Sequence, residues 1–204
     1  MRSSWHRAAA VLAAVTVPAA VLAGCSETTG GNASAGSSTG RTETSTPESD
    51  APSSTSKAPA DRPKTINLRD VDPCTLLTEQ QRAQLGLNRP PLKSTNSVYD
   101  SPVCNISRED RQYWVGITTA TTAGVEWYTD GSFLGDAQNL QVGGFPAVVG
   151  TSKDDQYVCF LGIDVSDGQM VAVQTNSGGE TGQAQLCQVA QQIAGAAIET
   201  LMSR

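Results

Sequence analysis

Histidine is nearly missing from this 204-residue sequence, whose one imidazole belongs to His6. Serine or cysteine nucleophiles paired with histidine need a base that titrates near neutrality, and after residue 6 the chain offers none. A serine–lysine pair would have to draw on Lys93 or Lys153, the lysines that follow Ile66, and both fall in expected loops. No Cys-x-x-Cys or cysteine–histidine spacing occurs, so neither a metal nor another cofactor is expected. The carboxylates that lie near one another, Asp154, Asp155, Asp164 and Asp167, read as solvated loop acids rather than a glycosidase pair. Asp164 to Gly168 is too short and too strand-like for a calcium loop. An excess of positive charge is also missing: the formal net charge is −6 and no basic cluster stands out, which argues against nucleic acid as a partner. An enzyme is therefore not expected.

Large apolar residues are absent over a long internal stretch. From Ser26 to Thr65 there is no Val, Ile, Leu, Met, Phe, Trp, Tyr or Cys. Such a segment cannot bury enough apolar surface to offset the entropy of ordering it. A flexible chain of that length spans about 35 Å, which suits a tether. Its Ser/Thr/Pro content would also accept O-linked sugars.

What precedes the tether has the opposite character. Arg2, His6 and Arg7 are followed from Ala8 to Leu22 by a run that is nearly all Ala, Val and Leu. The run is shorter than the roughly twenty residues of a spanning helix and contains Pro18, so a cleaved secretory signal over residues 1–24 is the better reading. It ends in Leu22-Ala23-Gly24-Cys25, which resembles the lipobox of bacterial lipoproteins. The resemblance implies a diacylglyceryl group on the Cys25 sulfur and cleavage before it. Each buried methylene adds about 0.8 kcal/mol, so two or three acyl chains anchor the chain durably.

Residues 66–204 hold the material for one core, with eight Lys and Arg against fifteen Asp and Glu. Setting Cys25 aside leaves Cys74, Cys104, Cys159 and Cys187, an even number that reads as two disulfides in an exported domain. Four cysteines permit three pairings. The preferred one is Cys74–Cys104 with Cys159–Cys187, each tying the start of a helical stretch to a nearby extended segment.

Asp72 before Pro73, then Thr78-Glu79-Gln80-Gln81 with Gly86 beyond, predicts one short helix or two joined turns over 73–86. Pro90-Pro91 enforces a loop. Tyr113 to Thr119 alternates as a half-buried strand does, Val125 to Tyr128 opens a short helix, and Leu140 to Gly150 reads as a strand with a bulge or tight turn at Gly143-Gly144. Tyr157–Val165 and Gln169–Thr175 flank Asp167-Gly168 as a hairpin, with Cys159, Leu161, Ile163 and Val165 on one face beside Val171 and Val173. A last helix from about Gly182 to Met202 would bury Leu186, Val189, Ala190, Ile193, Ala197 and Leu201. The expected fold class is α+β: one antiparallel sheet with N-terminal and C-terminal helices packed on it.

These marks, taken in order with Asp72-Pro73-Cys74 and Val142-Gly143-Gly144-Phe145-Pro146-Ala147, resemble the actinobacterial lipoprotein family called domain of unknown function 3558. The resemblance implies a lipidated Cys25 and four structural cysteines, with no activity or ligand attached. In one departure from its pattern, Ile106 stands where a tryptophan is expected two residues after the second cysteine. Among Trp114, Trp127, Tyr128, Phe133 and Phe145, most are expected in the core. If a cleft exists, Trp127 and the turn carrying Gly144 and Phe145 are its expected rims. The functional expectation is a lipid-anchored module on the extracytoplasmic face of the cell membrane, binding an envelope lipid, glycan or secreted protein. The alternative is a structural, protein-interaction lipoprotein with no small ligand. Replacing Cys25→Ser is expected to abolish metabolic labelling with an alkynyl fatty acid and shift the protein from the membrane fraction to the medium. Labelling that survives the substitution would refute lipidation at this cysteine.

Overall fold

The structure is a computed structural model that describes residues 61–204; the leader, Cys25 and most of the tether lie outside the described residues. Seven strands form one antiparallel sheet: β1 (Leu92–Asn96), β2 (Ser101–Ser107), β3 (Trp114–Ala120), β4 (Gly135–Val142), β5 (Phe145–Ser152), β6 (Val158–Ser166) and β7 (Gln169–Asn176). Their order across the sheet is β1-β2-β3-β7-β6-β5-β4. Two helices accompany them, the short α1 (Glu79–Gln84) and the long α2 (Gln183–Met202). Pro73–Thr75 and Val125–Tyr128 are single 3-10 turns. The α+β architecture with N- and C-terminal helices is thus observed. No described helix is long and apolar enough to cross a membrane.

Local chemistry accounts for the elements. Asp72 caps the first turn by accepting from the Cys74 N–H at 3.0 Å, and Thr78 and Gln81 form the reciprocal capping box of α1. Of the two readings of 73–86, two joined turns is the one observed. Gly143 and Gly144 both have positive φ (58° and 83°) and form a two-residue hairpin turn between Val142 and Phe145. The expected strand over Leu140 to Gly150 is therefore two strands folded about a tight turn. Asp167-Gly168 closes the β6–β7 hairpin, with a register irregularity between Asp164 and Ser166.

Strand alternation sends two sets of side chains to opposite faces. Cys104, Ile106, Val115, Ile117, Phe145, Ala147, Cys159, Leu161, Ile163, Val171 and Val173 belong to the inner core. That core is closed by α2, which buries Leu186, Ala190, Ile193, Ala194, Ala197, Ile198 and Leu201. Ala194 and Ile198 join the expected set, while Val189 is only half-buried. The alanines let the helix axis come close to the sheet; a Cβ on Gly143 would meet Ile198 Cγ2 at 2.7 Å.

Both disulfides have the preferred pairing, Cys74–Cys104 and Cys159–Cys187. The first joins the initial 3-10 turn to β2, the second joins β6 to α2 near its N-terminus. Each staples a helical segment to the inner face. Gln81 adds a polar link between the helices, donating to the Ala196 carbonyl at 3.2 Å and accepting from Thr200 Oγ1 at 3.0 Å.

The segment before Ile66 is not all tether. Arg62 pairs with buried Asp164 at 2.7 Å and with Asp167 at 2.9 Å, and the Ile66 N–H donates to the Val165 carbonyl. A Cβ on Gly144 would lie 3.0 Å from Pro63 Cγ. The described chain thus joins the domain at the pole of the β4–β5 and β6–β7 turns.

Replacing Cys159 and Cys187 together by alanine is expected to cost about 2–5 kcal/mol, from loss of a constraint across 28 residues. Urea unfolding of wild type and double variant checks it; coincident midpoints would show that α2 holds without its staple.

Candidate functional site

Phe145 and Trp127 stand on opposite faces of the sheet. Phe145 is fully buried in the inner core, whereas Trp127 packs on the outer face with Tyr99, Tyr128, Phe133 and Phe160. Gly144 is exposed at the β4–β5 turn against Pro63. The three expected rim residues are therefore not brought together into one cleft.

Trp127 acts as a hub. Its ring meets Tyr99 and Tyr128 edge-on at 5.3 and 5.2 Å, and Phe133 at 5.6 Å. These rings can lie directly on the strands because β5 and β6 carry glycine beneath them. A Cβ on Gly162 would meet Tyr128 Cε2 at 2.6 Å, and one on Gly150 would meet Phe133 at 2.9 Å. The Tyr99 and Tyr128 hydroxyls face each other at 3.4 Å. Burial raises the Tyr128 pKa well above its usual value, and the neighbouring Tyr99 adds to the effect. Burial raises Tyr99 too, opposed by its hydrogen bond to Tyr128. Both stay neutral at physiological pH.

The ionisable groups that chemistry would draw on are spread apart. Lys93 pairs with Asp72, whose carboxyl is held below the usual range chiefly by that hydrogen bond and by the Cys74 N–H. Lys153 pairs with Asp136 at 3.1 Å. Asp154 and Asp155 are exposed in the β5–β6 turn, while Asp164 and Asp167 hold Arg62. Among the described residues, no three or more His, Cys, Asp or Glu side chains cluster as a metal site requires.

The open site lies elsewhere, on the outer face of β1, β2, β3 and the end of β7. Two adjoining grooves of about 560 and 310 Å³ share Asn105 and Trp114, each within the usual range of small-ligand sites. The first is lined by Arg89, Pro90, Leu92, Ile106 and Ser107, the second by hydroxyl and amide side chains that include Ser94, Asn96, Thr118, Gln174 and Asn176. Trp114 is 43% exposed between them, with Leu92 at 68% near one end and Val98 at 62% near the other. A smaller cavity of about 40 Å³ reaches from the polar groove to Tyr99, Trp127 and Tyr128.

Alternation in β3 explains the placement. Tyr113, Val115 and Ile117 point into the core, so Trp114, Gly116 and Thr118 must face outward. The sequence carries that signal, because parity along the strand, rather than the presence of an aromatic, sets which face a residue takes. Ile106, standing in the place of an expected tryptophan, is buried inward and pairs with Val115. Trp114 lies one step along, opposite Ser107.

The arrangement defines a class of domain: a single sheet, disulfide-stapled on one face and open on half of the other. The chain belongs to the family described as Protein of unknown function (DUF3558), whose model matches residues 20–200. No curated protein and no solved structure matches it.

The two tryptophans of the described chain should separate cleanly in mutagenesis. Trp127→Ala is expected to destabilise the domain by on the order of 3 kcal/mol through the cavity it leaves, and Trp114→Ala by about 0.5 kcal/mol or less, as surface changes do. Urea midpoints decide it; a larger loss at Trp114 would make that residue structural.

Proposed function

We propose that the protein is an extracytoplasmic lipoprotein, held to a membrane through Cys25, whose domain is a non-enzymatic binding or accessory module of the cell envelope. Export is supported by the leader, by the Leu22–Cys25 segment that resembles a lipobox, and by four cysteines that meet as two disulfides. The family to which the chain belongs is described as one of unknown function and names no activity, so the lipoprotein reading rests on the leader, the lipobox-like segment and the disulfides.

The observation that carries the binding role is the open outer face around Trp114. A half-exposed indole on a strand, flanked by grooves on both sides, gives the domain a place for a ligand. Its location fits a tethered module. The described chain joins the domain near Gly144 and Asp167, while Trp114 pairs with Asn176 at the other end of β7. A domain lifted by its N-terminal segment presents that end away from the attachment point.

The reading is tested by placing a photo-crosslinking amino acid at Leu92 and, as control, at Leu134, which is exposed but outside the grooves. Irradiation of intact cells is expected to yield an adduct from position 92 only, identified by mass spectrometry. A single captured protein and no small molecule would favour the alternative of a protein-interaction lipoprotein. Equal adducts at both positions, or none at either, would remove support for a binding module.

A further inference from the structure

We infer that the groove around Trp114 is a binding site for a neutral glycan; this rests on the binding-module reading and names its ligand class. The first ground is charge. The polar groove has no ionisable side chain among its lining residues, and the apolar groove has one, Arg89. The rest of the folded part carries more Asp and Glu than Lys and Arg, so a polyanion approaching it meets a field of its own sign. A cation finds no carboxylate in the groove.

The second ground is the pattern of hydrogen bonds. Asn105 Nδ2 donates to Ser94 Oγ at 2.8 Å, and Gln174 Nε2 donates to Asn176 Oδ1 at 2.9 Å. Asn96 Nδ2 donates to Thr118 Oγ1 at 3.2 Å. Each bond fixes a side chain while leaving capacity over. Asn105 Oδ1 and Gln174 Oε1 remain acceptors without a protein donor among the described residues, and the Ser94 hydroxyl and Asn176 amide remain donors. A ligand that both gives and takes hydrogen bonds at short intervals satisfies such a surface, and a string of hydroxyls does so. A phosphate or carboxylate only accepts, so it would leave the two amide oxygens unpaired. An acyl chain would leave all four groups unpaired. Because the side chains already hold one another, little rotamer freedom is left to lose on binding.

The third ground is shape. Trp114, Gly116 and Thr118 follow each other on the same face of β3. The indole face carries negative quadrupole density, against which the polarised C–H face of a sugar ring packs favourably. Beside it Gly116 leaves a trough: a Cβ there would meet Asn105 Oδ1 and Val103 Cγ2 at 3.4 Å, ordinary contact, so the glycine is not demanded by packing. Its lack of a side chain keeps the floor open for a close approach. A saccharide ring on Trp114 would rest over that floor with the amides within reach.

The full-length lipidated protein in nanodiscs tests this with tryptophan emission and saturation-transfer NMR. The probes are neutral oligosaccharides (glucan, mannan, galactan, arabinan and chitin fragments), with hyaluronan, alginate and anionic phospholipid vesicles as comparators. At least one neutral oligosaccharide is expected to shift the emission and to keep its affinity in Trp127→Phe. Trp114→Ala and Gly116→Val are each expected to weaken it by more than about tenfold, and Gln174→Ala by about tenfold, with unchanged urea midpoints confirming folded variants. Offering the same oligosaccharide free and as a glycolipid headgroup tells whether the source is a polymer or a lipid. Binding confined to the anionic probes, or neutral-glycan binding indifferent to both Trp114→Ala and Gly116→Val, would overturn the inference. If no glycan binds while position 92 still captures a lipid in cells, the ligand class is wrong and the module reading stands. If neither occurs, both fall.

Discussion

The connection from β3 to β4 decides how this domain meets its surroundings. β3 lies in the middle of the sheet and β4 at one edge, with β7, β6 and β5 between them. A chain that leaves the centre and must begin again at the edge has to cross one face. The inner face is taken by α2, so the crossing runs over the outer one, carrying Val125–Tyr128 and Phe133 with it. What lies beneath the crossing becomes a second, aromatic core, which Tyr99 joins from the β1–β2 turn; the grooves lie on the other side of β3. The groove around Trp114 follows from where the chain is not. Glycines at 150 and 162 are the local condition for this arrangement, since side chains there would lift Tyr128 and Phe133 off the strands.

The inner face shows how a modest domain is held to one packing arrangement. α2 contributes small residues at 190, 194 and 197, which allow a close approach but bury little area each. The disulfides act where such packing is thin: at the start of α2, and at the N-terminal turn, which buries only Pro73. Arg62 adds a tie at the turn pole, and Gln81 one between the helices. These contacts span large sequence separations, so each limits the freedom of the unfolded chain or fixes register, rather than adding bulk to the core.

Much of the fold could be read from periodicity and punctuation. The β6–β7 hairpin, α2, the capping box at Thr78 and the alternation of β3 all rest on local chemistry that tertiary structure did not overrule. β1 is not legible in the sequence, β2 only as an extended segment at Cys104, and β4 only in its last residues, Leu140 to Val142. β1 and β4 are edge strands with mostly exposed side chains, so they lack an apolar stripe. β2 begins with Ser101-Pro102, and proline argues against an inner strand. It is tolerated because Pro102 pairs only with Thr95 of β1, beyond the reach of β3. The three expected rim residues lie apart for a related reason: Trp127, Gly144 and Phe145 share only a residue-type pattern, glycine beside aromatic, which carries no information about face. Parity along a strand does carry it, and it sends Phe145 inward with Ala147 and Trp114 outward with Gly116.

The open half of the outer face raises a question of solubility. An exposed sheet face with unpaired edges invites association, and proteins commonly blunt such surfaces with charge. This chain uses that device nearby: Lys93 lies on edge strand β1, Asp136 on edge strand β4, and Arg108 and Asp110 pair beside the apolar groove. Inside the polar groove it does not. There the positions hold asparagine, glutamine, serine and threonine around a half-exposed tryptophan, residues that give less repulsion between copies than a lysine or glutamate would. Trp114 exposes apolar surface that a polar residue would spare, and its strand has Val115 and Ile117 to anchor it without the indole. A surface that gives up protection against self-association and spaces donors and acceptors within reach of an aromatic face is what the proposed binding role calls for.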